Sequence, residues 1–119
     1  MSTSVTVGYW DCRGLAHPIV LLLEFLKKPY ELKVPPQYLI GPPPDFAKTK
    51  WFEAKEDILK GFDFPNLPYY HDSELNLKLT QTNAIIMHIA RTNDLCPKSQ
   101  SVESMVFFLT IKRIKTFFF

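Results

Sequence analysis

The stretch "SVTVGYW", residues 4–10, alternates β-branched and other residues and predicts a strand. "GLAHPIVLLLEFLKK" follows. Leu15, Ile19, Leu22, Leu23 and Leu26 recur at spacings of three and four, which predicts a helix over residues 14–28. Pro18 lies early enough to be tolerated, Lys27 and Lys28 suit the last turn, and Pro29 stops the run. "YELKV" predicts a second strand. "PPQYLIGPPPDFAK" holds five of the ten prolines and predicts an extended surface loop. "DFAKTKWFEAKEDILKGF" has helical spacing and ends at Gly61. "FPNLPYYHD" and "LKLTQ" predict a hairpin around the turn "SELN". "TNAIIMHIARTNDL" predicts a helix with Thr82 as its N-cap.

The first strand–helix–strand unit implies parallel strands joined by a right-handed crossover. The last two strands return on each other. The expected fold class is therefore α/β, a thioredoxin-like mixed four-stranded sheet with flanking helices. The expected domain covers residues 1–93. Residues 94–119 form a polar linker, "KSQSVES", and an apolar tail, "MVFFLTIKRIKTFFF". Lys112, Arg113 and Lys115 interrupt that tail, so no membrane span is expected.

Composition narrows the function classes. A hydrophobic content of 46% with ten phenylalanines supports a folded core. A net charge of +2 with dispersed lysines and arginines argues against nucleic acid. Two cysteines, Cys12 and Cys96, make neither a C-x-x-C nor a zinc spacing. Scattered thiols and an N-terminus without a signal-peptide pattern fit a cytoplasmic protein. His17, His71 and His88 show no ligand spacing and read as structural or exposed.

Tyr9 and Cys12 sit three apart at the first strand–helix junction, and either residue type handles sulfur. Cys12 has no resolving cysteine two residues away. "GYWDCRGLAHPIVLLLE", the spaced Trp51 and Lys55, "DFPNLPYY" and "TQTNAIIMHIAR" occur in order. Together they resemble the N-terminal domain of mu-class cytosolic glutathione transferases, from about Val5 to Cys96.

The resemblance implies glutathione as co-substrate and no further cofactor. It makes Tyr9 the hydroxyl that stabilises the glutathione thiolate, and Cys12 a small packed residue beside it. Leu67–Pro68 would be a cis bond, with the Leu67 backbone pairing with the ligand's cysteinyl part and Asn66 as a further contact to the ligand. Gln81 and Thr82, at a helix N-terminus, would meet the γ-glutamyl carboxylate, where free N–H groups favour an anion. Trp51 and Lys55 would hold the glycine carboxylate, Trp10 would be a further contact to the ligand, and Lys48 would supply charge without a bidentate fork. Phe64 resembles the aromatic key of a homodimer.

Departures accompany the match. Lys48 stands where the family usually has Arg, Thr82 where it has Ser, and Val20 where it commonly has Arg. The resemblance fades around residues 97–104, where a helical domain supplying the electrophile pocket should begin. The expected function is conjugation of glutathione to electrophilic small molecules, weak or absent in this chain alone. The alternative is a glutathione-binding or transferase-partner module without catalysis.

Overall fold

A computed structural model describes residues 3–34, 41–44, 47–102 and 104–105. Its element order is β1 (Val5–Gly8), a 3-10 turn (Gly14–Ala16), α1 (His17–Phe25), β2 (Glu31–Lys33), α2 (Thr49–Ile58), β3 (Tyr69–Asp72), β4 (Leu77–Thr80) and α3 (Thr82–Thr92). The four strands form one sheet in the order β2-β1-β3-β4. β1 pairs parallel with β2 and antiparallel with β3, and β3 pairs antiparallel with β4. The mixed sheet with flanking helices is the fold that the sequence pattern predicts. The chain divides into two compact units, with the boundary between Ile86 and Met87.

The register collects one end of every strand. Gly8 stands opposite Lys33 and Tyr69, and Tyr69 opposite Thr80. Tyr9 and Trp10, Leu67 and Pro68, and Gln81 and Thr82 adjoin the sheet at that end. One face of the sheet carries Tyr69 and His71, and the Phe62 ring meets both edge-on, at 5.5 and 6.5 Å. The Tyr69 ring lies over Gly8, where any side chain would collide with it. Val7 and Tyr70 are buried on the other face. Ile19 and Leu23 of α1 and Ile85 of α3 are also removed from solvent. Truncating any of these aliphatic residues to Ala should cost about 2–5 kcal/mol.

The hairpin turn is held by a buried carboxylate. Asp72 accepts the N–H groups of Glu74 and Leu75 at 3.0 and 3.3 Å, and Asn76 takes φ 49°. β2 is exposed along its length, as a short edge strand should be. The Tyr30 hydroxyl before it donates to Glu24 at 2.7 Å, tying the strand's entry to α1.

Element lengths depart from the pattern for identifiable reasons. The first predicted helix begins as a 3-10 turn and becomes α-helical only at His17, with Pro18 in its first turn. It stops before Lys27, which lies in the left-handed region at φ 54°. The Lys28 N–H bonds the Leu23 carbonyl and the Lys27 N–H bonds the Glu24 carbonyl, both at 3.0 Å. This is a Schellman closure with lysine where glycine is usual. The lysines therefore terminate α1 rather than occupy its last turn. The predicted strand over residues 64–72 forms only from Tyr69, because the Leu67–Pro68 bond is cis and turns the chain before it. α2 begins at Thr49, after Lys48, which makes no side-chain cap bond.

Among the described residues of the expected linker and the start of the tail, 100–102 and 104–105 are helical. The tail from residue 106 onward lies outside the described residues, as do positions 35–40 and 45–46 of the proline-rich loop. No helix among the described residues is long and apolar enough to cross a membrane.

The Lys27 geometry carries a stability prediction. A non-glycine residue in the left-handed region costs about 1–2 kcal/mol. Lys27→Gly should therefore raise stability by about 1 kcal/mol, or about 4–8 °C in Tm. Thermal denaturation followed by circular dichroism measures it, and Lys27→Ala should give no such gain.

Candidate functional site

The site is built from the segments that leave the common end of the sheet. Tyr9 follows β1 directly, and its own N–H still bonds the Lys33 carbonyl at 3.3 Å. The Tyr9 side chain is buried in a cluster with Ala16, Trp51, Leu59, Leu67 and Tyr69. Its hydroxyl oxygen accepts the Leu15 N–H at 3.1 Å. A phenol that accepts one bond still has its own O–H to donate.

The Leu15 peptide does a second job. Its carbonyl accepts the Thr82 hydroxyl at 3.1 Å, across 67 residues of sequence. The 3-10 turn thus joins Tyr9 to the start of α3. Gly14 makes this approach possible. It takes φ 39°, and a Cβ there would lie 2.5 Å from the Tyr9 hydroxyl oxygen. Any larger residue would push the ring away from Leu15.

Burial pushes the Tyr9 phenol above its ordinary value of 10.0. The Leu15 N–H pulls in the opposite direction, and the Cys12 thiol adds a further push upward. The net result is a phenol that keeps its proton throughout the neutral range.

Trp51, on α2, is buried against this cluster, and its ring meets Trp10 edge-on at 5.8 Å and 75°. The Lys48 ammonium lies 5.3 Å from the centre of the Trp10 ring. Trp10, Trp51 and Lys48 are therefore brought together as one stack. Such a cation–π contact contributes about 0.5–1 kcal/mol when exposed. Lys55 stands one turn after Trp51, but its ammonium lies over Phe52, 5.9 Å from the ring centre. Phe52 is exposed, so Lys55 is not drawn into the stack.

The Leu67–Pro68 bond is cis, as expected. Both residues are buried, and they precede β3 at the end of the sheet where Tyr9 follows β1. Asn66 is exposed, and its side-chain oxygen accepts the Leu67 N–H at 2.9 Å. Phe64 is 77% exposed, while its carbonyl is pinned by the Thr80 hydroxyl at 2.7 Å. Gln81 is exposed with φ 73°, and its carbonyl accepts the Ile85 N–H at 3.1 Å.

Two expectations need correction. Thr82 is the first helical residue of α3, not its cap. Gln81 precedes it, and the Thr82 hydroxyl is spent on Leu15. Cys12 is exposed rather than packed, because the turn after Trp10 carries residues 11–13 outward. The 2.7 Å bond from the Cys12 N–H to the Trp10 carbonyl closes that turn.

A family model described as glutathione S-transferase, N-terminal domain, matches residues 5–91. The chain belongs to this family. It is 49% identical over 96 residues to glutathione S-transferase 2 of Gallus gallus, a match covering 81% of this chain and 40% of that protein. It is 46% identical over 97 residues to glutathione S-transferase Mu 4 of Homo sapiens, covering 82% and 41%. Among solved structures, the glutathione S-transferase Blo t 8 superposes with a TM-score of 0.66 at 33% identity, covering 83% of this chain and 40% of that one. A Caenorhabditis elegans transferase gives 0.70 at 21% identity and covers 47% of that chain, a likeness of fold alone. The chain spans about 40% of the length of the curated relatives it matches.

Within this glutathione S-transferase domain, Gly14 and Leu15 are the residues that sequence reasoning missed. The signal for Gly14 was present as the glycine opening "GLAHP". Leu15 acts through its backbone, and a side chain's identity carries no trace of that.

Two outcomes test this geometry. The Tyr9 phenol should ionise above pH 10 in an ultraviolet difference titration of wild type against Tyr9→Phe. Tyr70, which burial and the Asp72 carboxylate push up to about 12, should behave likewise. Because the folded values exceed the unfolded ones, both contributions are complete below about pH 10, and that of Tyr70 is lost as pH rises toward 12. Melting temperatures should fall across that window, and less steeply in Tyr70→Phe. Separately, Gly14→Ala should displace the Tyr9 ring and destabilise the fold by about 1–3 kcal/mol. Denaturant titration measures the loss, and an unchanged midpoint would contradict the close approach.

Proposed function

We propose that this chain binds glutathione and, as part of a glutathione transferase, presents its thiolate to electrophilic small molecules. The observation that carries the reading is the hydroxyl of the buried Tyr9, held by the Leu15 N–H at the end of the sheet where the cis proline and the α3 N-terminus also lie.

A cysteine-like thiol has a pKa near ~8.5, so only a few per cent is thiolate at neutral pH. The Tyr9 O–H donates to the sulfur and favours the anion. A shift of one unit takes about 1.4 kcal/mol, within reach of one charge-assisted bond. The thiolate then attacks the electrophile, forming a carbon–sulfur bond as the leaving group departs.

The other residues orient the tripeptide. Leu67 offers its backbone to the cysteinyl part, in the manner of an added strand. Gln81 and the free N–H groups at the start of α3 receive the γ-glutamyl carboxylate. Since the Thr82 hydroxyl already donates to Leu15, Thr82 would serve through its backbone N–H. Lys48, held on Trp10, and Lys55 supply positive charge for the glycine carboxylate, with Trp51 packed between the segments. Lys48 acts as a point charge and not as a bidentate fork. The exposed Phe64, on its pinned backbone, would be the contact to a second subunit. The free thiols of Cys12 and Cys96 suit a cytoplasmic setting.

A second reading is glutathione binding without catalysis. It is favoured by the geometry, because every residue it needs lies within the matched segment, residues 5–91. Calorimetry with glutathione and conjugation of a generic aryl halide separate the two. Heat of binding with turnover supports the transferase, and binding alone supports the module. Tyr9→Phe should lower the thiolate fraction of bound glutathione about tenfold near neutral pH, read from thiolate absorbance. Turnover that survives Tyr9→Phe at full rate would rule out the role given to that hydroxyl.

A further inference from the structure

The sheet ends at β2, and among the described residues this strand is paired on one side only, to β1. The open side of an edge strand carries unpaired N–H and C=O groups. The ladder decides which residue carries them. The Lys33 carbonyl accepts the Tyr9 N–H, so the backbone groups of Lys33 face β1. These groups alternate in direction along a strand. Those of Glu31 therefore also face β1, and the N–H and C=O of Leu32 face outward. All three residues are exposed, Leu32 at 48%. Leu32 stands opposite Val7 and shares its face of the sheet, while Glu31 and Lys33 share the other.

Charged residues on an edge ordinarily keep strands apart. Here the two charges have opposite signs and flank Leu32 symmetrically. A second copy laid antiparallel, with Leu32 opposite Leu32, brings Glu31 of each copy opposite Lys33 of the other. A parallel copy in register sets Glu31 against Glu31 and Lys33 against Lys33. The antiparallel arrangement also lets the two Leu32 residues exchange both N–H···O bonds. It leaves the charged pairs at the closer, non-hydrogen-bonded positions. Backbone direction and charge select the same register.

From this we infer that β2 pairs antiparallel with β2 of a second copy, joining two sheets about a two-fold axis at Leu32. The operation closes on itself, so by itself it gives a dimer. It is separate from the contact given to Phe64, whose carbonyl is pinned to Thr80 of β4 at the opposite edge of the sheet. A three-residue strand supplies a small interface, so the dimer is weak and concentration-dependent. It does not depend on glutathione.

Sedimentation velocity over a concentration series tests it, on this chain carrying Phe64→Ala so that the other contact is removed. That chain should pass from monomer to dimer as concentration rises. Over the same range the Leu32 amide should gain protection from hydrogen exchange, followed by nitrogen-15 NMR. Adding Glu31→Lys turns both opposite-charge pairs into like-charge pairs and should raise the dimer Kd about tenfold. Adding Lys33→Glu as well restores the pairs and should return the Kd. Leu32→Pro removes the outward N–H, a change that an edge strand tolerates, and should leave a monomer. If the Leu32→Pro chain does not fold, the charge variants decide. A monomer at every concentration, or self-association that Glu31→Lys leaves unchanged, overturns the inference. So does a Leu32 amide that gains no protection as the dimer forms.

Discussion

The peptide group of Leu15 is the constraint on which the site depends. Its N–H is given to the Tyr9 hydroxyl and its carbonyl takes the Thr82 hydroxyl. One short turn thereby locks the end of β1 to the beginning of α3. Neither bond is strong alone, at about 0.5–1.5 kcal/mol net. Their value lies in direction. A buried hydroxyl that accepts from a fixed N–H has its own proton aimed away from that N–H.

Site and core are the same residues to an unusual degree. Tyr9, Trp51 and Leu67 belong to one buried cluster with Ala16, Leu59 and Tyr69. The aromatic stack extends that cluster outward through Trp10 to Lys48. Charge reaches the rim on a rigid aromatic support instead of on a free side chain. The same packing holds the Leu67 peptide in place. Substitutions in the cluster therefore act on the fold as well as on the site, whereas Asn66 and Gln81 stand at its exposed rim.

Much of this was legible in the residues. The element order followed from periodicity, and the hairpin from "SELN" between two β-rich runs. The cis bond at "NLP" was expected from the resemblance and is present. Lengths were less legible. The terminus of α1 depends on Lys27 accepting a left-handed conformation, which lysine seldom does. The start of β3 depends on where the turn at Pro68 ends. Cys12 was misplaced because a position three residues from a core tyrosine can still be carried outward by a turn. Thr82 was misassigned because a hydroxyl beside a helix start has two uses, and the fold chose the long-range one.

The sequence by itself determined which segments become strands and helices, and which residue types gather at one end of the sheet. Those follow from local periodicity, proline placement and motif order. Tertiary structure alone decided that Leu15 bridges Tyr9 and Thr82 and that Lys48 rests on Trp10. The physical reason is common to all of them. Each is a directional contact whose partner is chosen by the register of the sheet and the path of a turn, and local propensity does not encode either.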